Sequence, residues 1–331
     1  MLKLPINYFY IYSIAVLISL ILIFFLRKIS LRYNFLESKG VPVLGGVGFG
    51  AAFFFACLSG LNSYGLLSKQ VFGFVIASFL MFFFGLMDDL FELSITKKFC
   101  MQLIASFILI ISGIRSDIVY LGPFLNGLIT IIWVIGITNA FNHLDVLDGL
   151  SGSVAALAGI GLFFIALLNH DFVSAIISLS LTGAVFGFLA FNLPPARTYM
   201  GNSGSHFIGF ILSVTALFIS YAPANRKLAL LSPILILGFP VIDTTILVLL
   251  RISRRILPFR KSDDHPALKL LALGYSKEKA LLTMLLWSLL FVISGVIASQ
   301  ASNVIILIII LSVSLVSFIL FKKVCRAKVH A

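Results

Sequence analysis

Apolar runs alternate with short polar breaks along the whole chain, at roughly 8–27, 43–61, 70–87, 99–114, 124–138, 152–168, 172–191, 206–221, 229–250, 280–298 and 303–321. A hydrocarbon core about 30 Å thick needs roughly 20 such residues at about 1.5 Å each, so the pattern predicts about eleven transmembrane helices. The expected fold is all-α, a polytopic membrane helix bundle. The breaks are too short for a separate soluble unit and no internal repeat is visible, so residues 1–331 are expected to form one integral-membrane domain. The first run has no small-residue cleavage site and is long enough to span, which predicts a retained helix.

Composition agrees: 60% of the residues are hydrophobic and 11% charged, against about 25% charged in soluble domains. Charge adds an orientation. A net charge of +12 could serve nucleic acid, but if successive loops alternate sides, only Lys3, Lys69, Arg115, Arg226 and Lys227 of the 24 Lys and Arg fall on one side. The positive-inside bias makes the cation-rich side cytoplasmic, with the N-terminus outside and the C-terminus inside. Most of these cations then read as topology signals and lipid contacts, and no nucleic-acid partner is expected. Cys57, Cys100 and Cys325 are odd in number and suggest packing residues, with no disulfide or metal framework.

The polar clusters all fall on the expected cytoplasmic side. TNAFNHLDVLDGL at 138–150 places Asn139, Asn142, Asp145 and Asp148 at every third position. On one helix they would form a fan of about 180°, able to surround a ligand. Gly149 and Gly152 then break the run. Asp88 and Asp89 end an apolar run; two adjacent carboxylates repel unless a proton or a hard cation such as Mg²⁺ relieves them, or they form an ordinary solvated helix cap. Lys98 and Gln102 follow at helical spacing, where a lysine can snorkel or bind.

YMGNSGS at 199–205 offers Asn202, Ser203 and Ser205 beside glycines, a turn that can cradle phosphate or simply join two helices. Asp243 sits about eight residues inside its run, at a depth of about 12 Å, as a functional acid or a structural hydrogen-bond partner. The long basic loop carries Arg254, Arg255 and His265, and guanidinium groups suit phosphate. His143, His170 and His206 have no partner pattern and are expected to be structural.

In order, KGVPVLGG, GLMDD with Lys98 and Gln102, TNAFNHLDVLDGL, NLPPARTYMGNSGSHFIGF, PVIDTT and DHPALKLLALG, over residues 39–280, resemble the polyprenyl-phosphate N-acetylhexosamine-1-phosphate transferases. That membrane family includes the initiators of O-antigen and teichoic acid synthesis and the phospho-MurNAc-pentapeptide transferase. The resemblance implies attack by undecaprenyl phosphate on the β-phosphate of a UDP-N-acetylhexosamine, most simply UDP-GlcNAc, with release of UMP. It also implies a Mg²⁺ requirement, with Mn²⁺ as a substitute, and a place in the bacterial plasma (inner) membrane; it leaves a homodimer open.

By the same resemblance Asp88, Asp89, Asp145 and Asp148 are the catalytic acids, and Asp88, Asp89, Asp145 and Asn202 the metal set. Lys39, Lys98, Asn139, Asn142, Tyr199, Ser203, Asp243, Arg254, Arg255 and His265 would bind substrate, with Tyr199 stacking on uracil. Two departures stand out. The family block usually reads MGD where this chain has Asn202, which implies weaker Mg²⁺ binding or a site completed by Asp145 or Asp89. The usual HxHH motif keeps only His265, which places the chain nearer the polysaccharide initiators than the peptidoglycan enzyme. A non-catalytic homologue that binds polyprenyl phosphate or a partner enzyme is the alternative expectation.

Overall fold

The computed structural model describes residues 7–118, 120–219, 227–253 and 265–325, and the chain builds helix after helix from its apolar runs. α1 (Tyr8–Tyr33) leads through a hairpin of β1 (Glu37–Ser38) and β2 (Val41–Pro42) into α2 (Gly45–Ser63), α3 (Lys69–Phe91) and α4 (Ile95–Ile111). α5 (Pro123–Leu144), α6 (Leu150–Leu168), α7 (Phe172–Asn192) and α8 (Gly201–Ile219) follow. The remainder holds α9 (Ser232–Ile236), α10 (Gly238–Ser253), α11 (Pro266–Ala272), α12 (Lys277–Ala298) and α13 (Asn303–Cys325). Ser68, Ser94, Asp171 and Ser276 start α3, α4, α7 and α12 by accepting a hydrogen bond from the backbone N–H three residues on.

Among the described residues nine helices are long and apolar enough to cross a membrane, and a tenth span forms if 227–236 and 238–249 count together across a bend of 71°. Pro240, in the first turn of α10, cannot donate back across that break. α4 has 17 residues, a rise of about 25 Å, short of a full hydrocarbon core. Of the eleven expected runs, the fourth is thus a short helix and the ninth a bent pair.

α8 is the axis of the bundle. Of its membrane-length stretch 83% is buried, against 22% for α1 and 17% for α13 at the periphery. α2, α3, α5 and α6 pack around it. Two glycines let the neighbours close on its start: a Cβ at Gly46 would sit 2.4 Å from the backbone of Gly204 and of Met200, and one at Gly85 would sit 2.5 Å from Ser203 Cα. Gly46→Ala is therefore expected to exceed the ordinary overpacking cost of about 1–3 kcal/mol, because backbone cannot rotate away. Thermal unfolding in detergent checks this; wild-type stability would contradict the contact.

Candidate active site

The ends of the hairpin, α2, α3, α5, α6, α7 and α8 meet around one cavity of about 360 Å³. The hairpin turns through Lys39 (φ 53°) and Gly40 (φ 76°), both left-handed as a two-residue turn of the I′ kind requires. That turn brings Ser38 and Lys39 to the cavity wall. Tyr199 N–H then donates to Pro42 O at 2.8 Å, and Gly45 and Gly46 donate to Tyr199 O and Met200 O at 3.0 Å. The segment before α8, which places Tyr199 and Asn202 on the wall, is thereby clamped to the start of α2.

α3 ends in two acids that point to different partners. Asp88 is buried; its Oδ1 accepts from Leu93 N at 2.8 Å and its Oδ2 pairs with Lys98 Nζ at 2.6 Å. Asp89 faces the cavity, and its Oδ1 and Oδ2 accept from Asn202 N at 2.6 Å and Ser203 N at 2.9 Å. It caps the first turn of α8, where the helix dipole favours an anion. The repulsion expected between the two carboxylates is thus relieved by one lysine and one helix terminus.

The expected fan is only partly helical. α5 stops at Leu144 with Asp145 as its C-cap, and α6 begins after Gly149, which takes a left-handed φ of 77° and donates to Asn192 Oδ1 at 3.0 Å. Asn139 turns from the cavity and donates to Gln102 Oε1 at 2.8 Å. Asn142 donates to Asn202 Oδ1 at 3.1 Å and Ser205 Oγ at 3.0 Å. Asp145 is exposed at the wall. Asp148 accepts from Ala196 N at 3.4 Å and Lys277 Nζ at 3.2 Å. The turn at 145–148, absent from a continuous helix, is what brings both acids to one side.

No group of three or more His, Cys, Asp or Glu among the described residues is spaced to hold a metal by itself. The oxygen donors around the cavity still suit a hard cation, since Mg²⁺ commonly takes one or two carboxylates and fills its other positions with water and substrate phosphate. Asp145 and Asp148, three residues apart on the wall, are the acids offered for that part, Asp148 while paired through Oδ2 with Lys277; Asp89 spends both oxygens on backbone N–H groups and Asn202 Oδ1 accepts from Asn142.

Residues 71–220 match the model of glycosyl transferase family 4. The chain belongs to that family. It is 28% identical over 276 residues to the "Probable undecaprenyl-phosphate N-acetylglucosaminyl 1-phosphate transferase" of Bacillus subtilis, covering 80% of this chain and 75% of the relative. It is 32% identical over 260 residues to the decaprenyl-phosphate N-acetylglucosaminephosphotransferase of Mycolicibacterium smegmatis, covering 70% and 62%. A third relative, the undecaprenyl-phosphate alpha-N-acetylglucosaminyl 1-phosphate transferase of Thermotoga maritima, is 29% identical over 222 residues, covering 67% and 69%. The matched stretch therefore spans from just under two thirds to three quarters of these relatives' own lengths.

In this family-4 chain the cavity gathers Lys39, Asp89, Asn142, Asp145, Asp148, Tyr199 and Asn202 from the expected set. Ser203 is buried behind it and contributes its N–H to Asp89. Asp88, Lys98 and Gln102 line a small adjoining pocket with His206. His206 is buried with neither ring nitrogen hydrogen-bonded, a placement that its surroundings in sequence gave no sign of.

Asp243 and His265 stand apart, 2.7 Å from one another and both buried, outside the lining of the cavity. Ala267 N donates to His265 Nδ1, so the network assigns the proton to Nε2, which donates to Asp243. The pair fastens the start of α11 to α10. Arg254 and Arg255 lie outside the described residues. Two partners escaped the sequence reading: Asn192, whose Oδ1 accepts from Gly149 N, and Lys277, whose place in the first turn of α12 beside the Ser276 cap was its one visible signal.

Proposed function

We propose that this membrane protein transfers N-acetylhexosamine-1-phosphate, most simply GlcNAc-1-phosphate, from a UDP-sugar to undecaprenyl phosphate, releasing UMP at the start of lipid-linked cell-surface glycan synthesis. The observation that carries the reading is the convergence of Lys39, Asp89, Asn142, Asp145, Asp148, Tyr199 and Asn202 on one cavity at one end of the bundle. That end takes the cytoplasmic side of a bacterial plasma membrane, with eleven crossings counting α4 and the bent pair, the N-terminus outside and the C-terminus inside. A cytosolic nucleotide-sugar and a lipid acceptor both reach such a mouth.

The acceptor phosphate oxygen attacks the β-phosphorus of the donor, and the bond from that phosphorus to the bridging oxygen breaks, leaving UMP. A phosphate monoester is largely ionised at neutral pH because its second pKa is about 6, so no protein base is required. Tyr199 offers a face for the uracil ring, and Lys39 an ammonium for the donor's phosphates. Asp145 and Asp148 would hold a bound Mg²⁺, with Asn142 and Asn202 beside them. Such an ion supplies neutralisation of the charge that builds on the phosphates. Asp89 fixes the start of α8, so that Asn202 and Tyr199 keep their places. Positioning and charge neutralisation are the terms that accelerate phosphoryl transfer.

UMP release from a panel of UDP-sugars, with purified protein and undecaprenyl phosphate, tests the reading. Release that needs both the lipid and Mg²⁺ or Mn²⁺ is the expected result. Folded protein that releases no UMP from any donor would favour a homologue that binds polyprenyl phosphate without turning it over.

A further inference from the structure

Lys277 stands against a local rule. It opens the first turn of α12 beside the Ser276 cap, where the helix dipole favours an acid and disfavours a cation. Its ammonium crosses instead to the turn between α5 and α6, 129 residues earlier, and meets Asp148 Oδ2 at 3.2 Å. A residue that gives up a local preference for a distant contact marks a place where function is to be sought. The acid is the fixed partner, since its side chain is 14% exposed and that of Lys277 is 55% exposed. α12 packs along α6, which holds the base of the lysine in place, while its four-carbon stem rotates freely. The contact can therefore be made and released without moving a helix.

Asp148 lines the cavity and Lys277 does not; the lysine reaches the site from its rim, through this carboxylate. Ala196 N–H donates to the same Oδ2 at 3.4 Å, so a backbone group keeps the acid in position whether or not the lysine is there. Asp148 is also one of the two acids offered above to a hard cation. An ammonium and a divalent ion on one carboxylate repel each other at close range, so an ion that binds at Asp148 displaces Lys277 or binds against its charge. In both cases the lysine lowers the affinity for the ion alone. Once released, the ammonium lies at the rim where the phosphates of the donor enter, and phosphate is an anion that lysine binds as a point charge.

Resting on the transferase reading above, we infer that Lys277 is an internal counter-ion of the site: it holds Asp148 before the divalent ion binds, then yields the carboxylate and turns to the diphosphate of the donor. Ion and donor are thereby coupled. The ion is disfavoured alone and favoured in company, because only the donor gives the displaced ammonium a new anion.

Two titrations of the purified full-length protein test the inference without turnover. In the first, free Mn²⁺ is followed by electron paramagnetic resonance in the absence of donor and lipid. Lys277→Gln is expected to bind the ion about two- to fivefold more tightly, the effect of removing an exposed ion pair. In the second, UDP-GlcNAc is titrated calorimetrically at saturating Mn²⁺ without acceptor, and the same variant is expected to bind the donor about two- to fivefold more weakly. The opposed signs are the signature. A lysine that only positions Asp148 would weaken both when lost.

Lys279→Gln removes the same charge from an exposed position two residues on and should shift neither titration, whereas Asp148→Asn should cancel the Mn²⁺ gain of Lys277→Gln. Weaker or unchanged Mn²⁺ binding by Lys277→Gln, an equal gain in Lys279→Gln, or a Mn²⁺ gain without loss of donor affinity would overturn the inference. So would the lack of any Mn²⁺ binding by both the wild type and Lys277→Gln. UMP release together with any of these results would overturn the counter-ion alone. Opposed shifts in a protein that releases no UMP from any donor would leave the counter-ion standing and remove the transferase reading.

Discussion

Asp89→Ala is expected to abolish transfer and to weaken the fold at the same time. Its two carboxylate oxygens accept the N–H groups of Asn202 and Ser203, which otherwise have no partner within the first turn of a helix. Each backbone donor left unpaired in a protein interior costs about 1–3 kcal/mol, so a loss of roughly 2–4 kcal/mol is expected, part of it from the helix-dipole term. α8 is the most buried of the membrane-length helices, and a loosened start displaces Tyr199 and Asn202 together. Unfolding temperature in detergent and transfer rate should both fall, the rate by at least about a hundredfold. Asp89→Asn, which keeps one acceptor oxygen, should fall between the two. An alanine variant with unchanged stability would show that α8 starts without this cap.

Asp145→Ala is expected to behave differently, losing transfer while keeping the fold. Asp145 is an exposed residue at the end of α5, so its substitution is expected to cost less stability than that of Asp89, whose oxygens hold the start of α8. As a carboxylate on the cavity wall beside Asp148, it would hold the Mg²⁺ whose charge offsets that building on the phosphates, a kind of contribution worth about 10²–10³ in rate. A lower kcat, a higher Mg²⁺ demand and an unchanged unfolding temperature form the expected pattern. Full transfer by this variant would remove Asp145 from the site.

The contrast between these two acids marks how far the sequence could be read. Apolar runs report membrane-length helices because the bilayer imposes length and composition together. The cavity was legible as well, because Lys39, Asp89, Asp145, Asp148 and Tyr199 stand at the ends of such runs on one side. The division of labour between Asp88 and Asp89 was not legible. It depends on Lys98, ten residues on, and on the start of α8, more than a hundred residues away.

The fan at 138–150 failed as a continuous helix for a related reason. Local periodicity treats the stretch as one helix, whereas Asn192 from the end of α7 holds Gly149 and lets the chain turn after Leu144. His206 was unremarkable in sequence, yet packing of α8 against α3 sets it in the pocket of Asp88 and Lys98. Asp243 and His265, both expected to bind substrate, are paired with one another in the interior through Asp243 Oδ2, a contact that no local pattern in the sequence announces.

The central claim concerns which bond is broken, and UDP-GlcNAc carrying ³²P in its β-phosphate tests it most directly. Incubated with the protein, undecaprenyl phosphate and Mg²⁺, the label should move into the lipid phase in step with UMP release, because the β-phosphate travels with the sugar. Label retained in water as UDP while sugar enters the lipid phase would mean that the sugar is transferred without its phosphate, and would contradict the account.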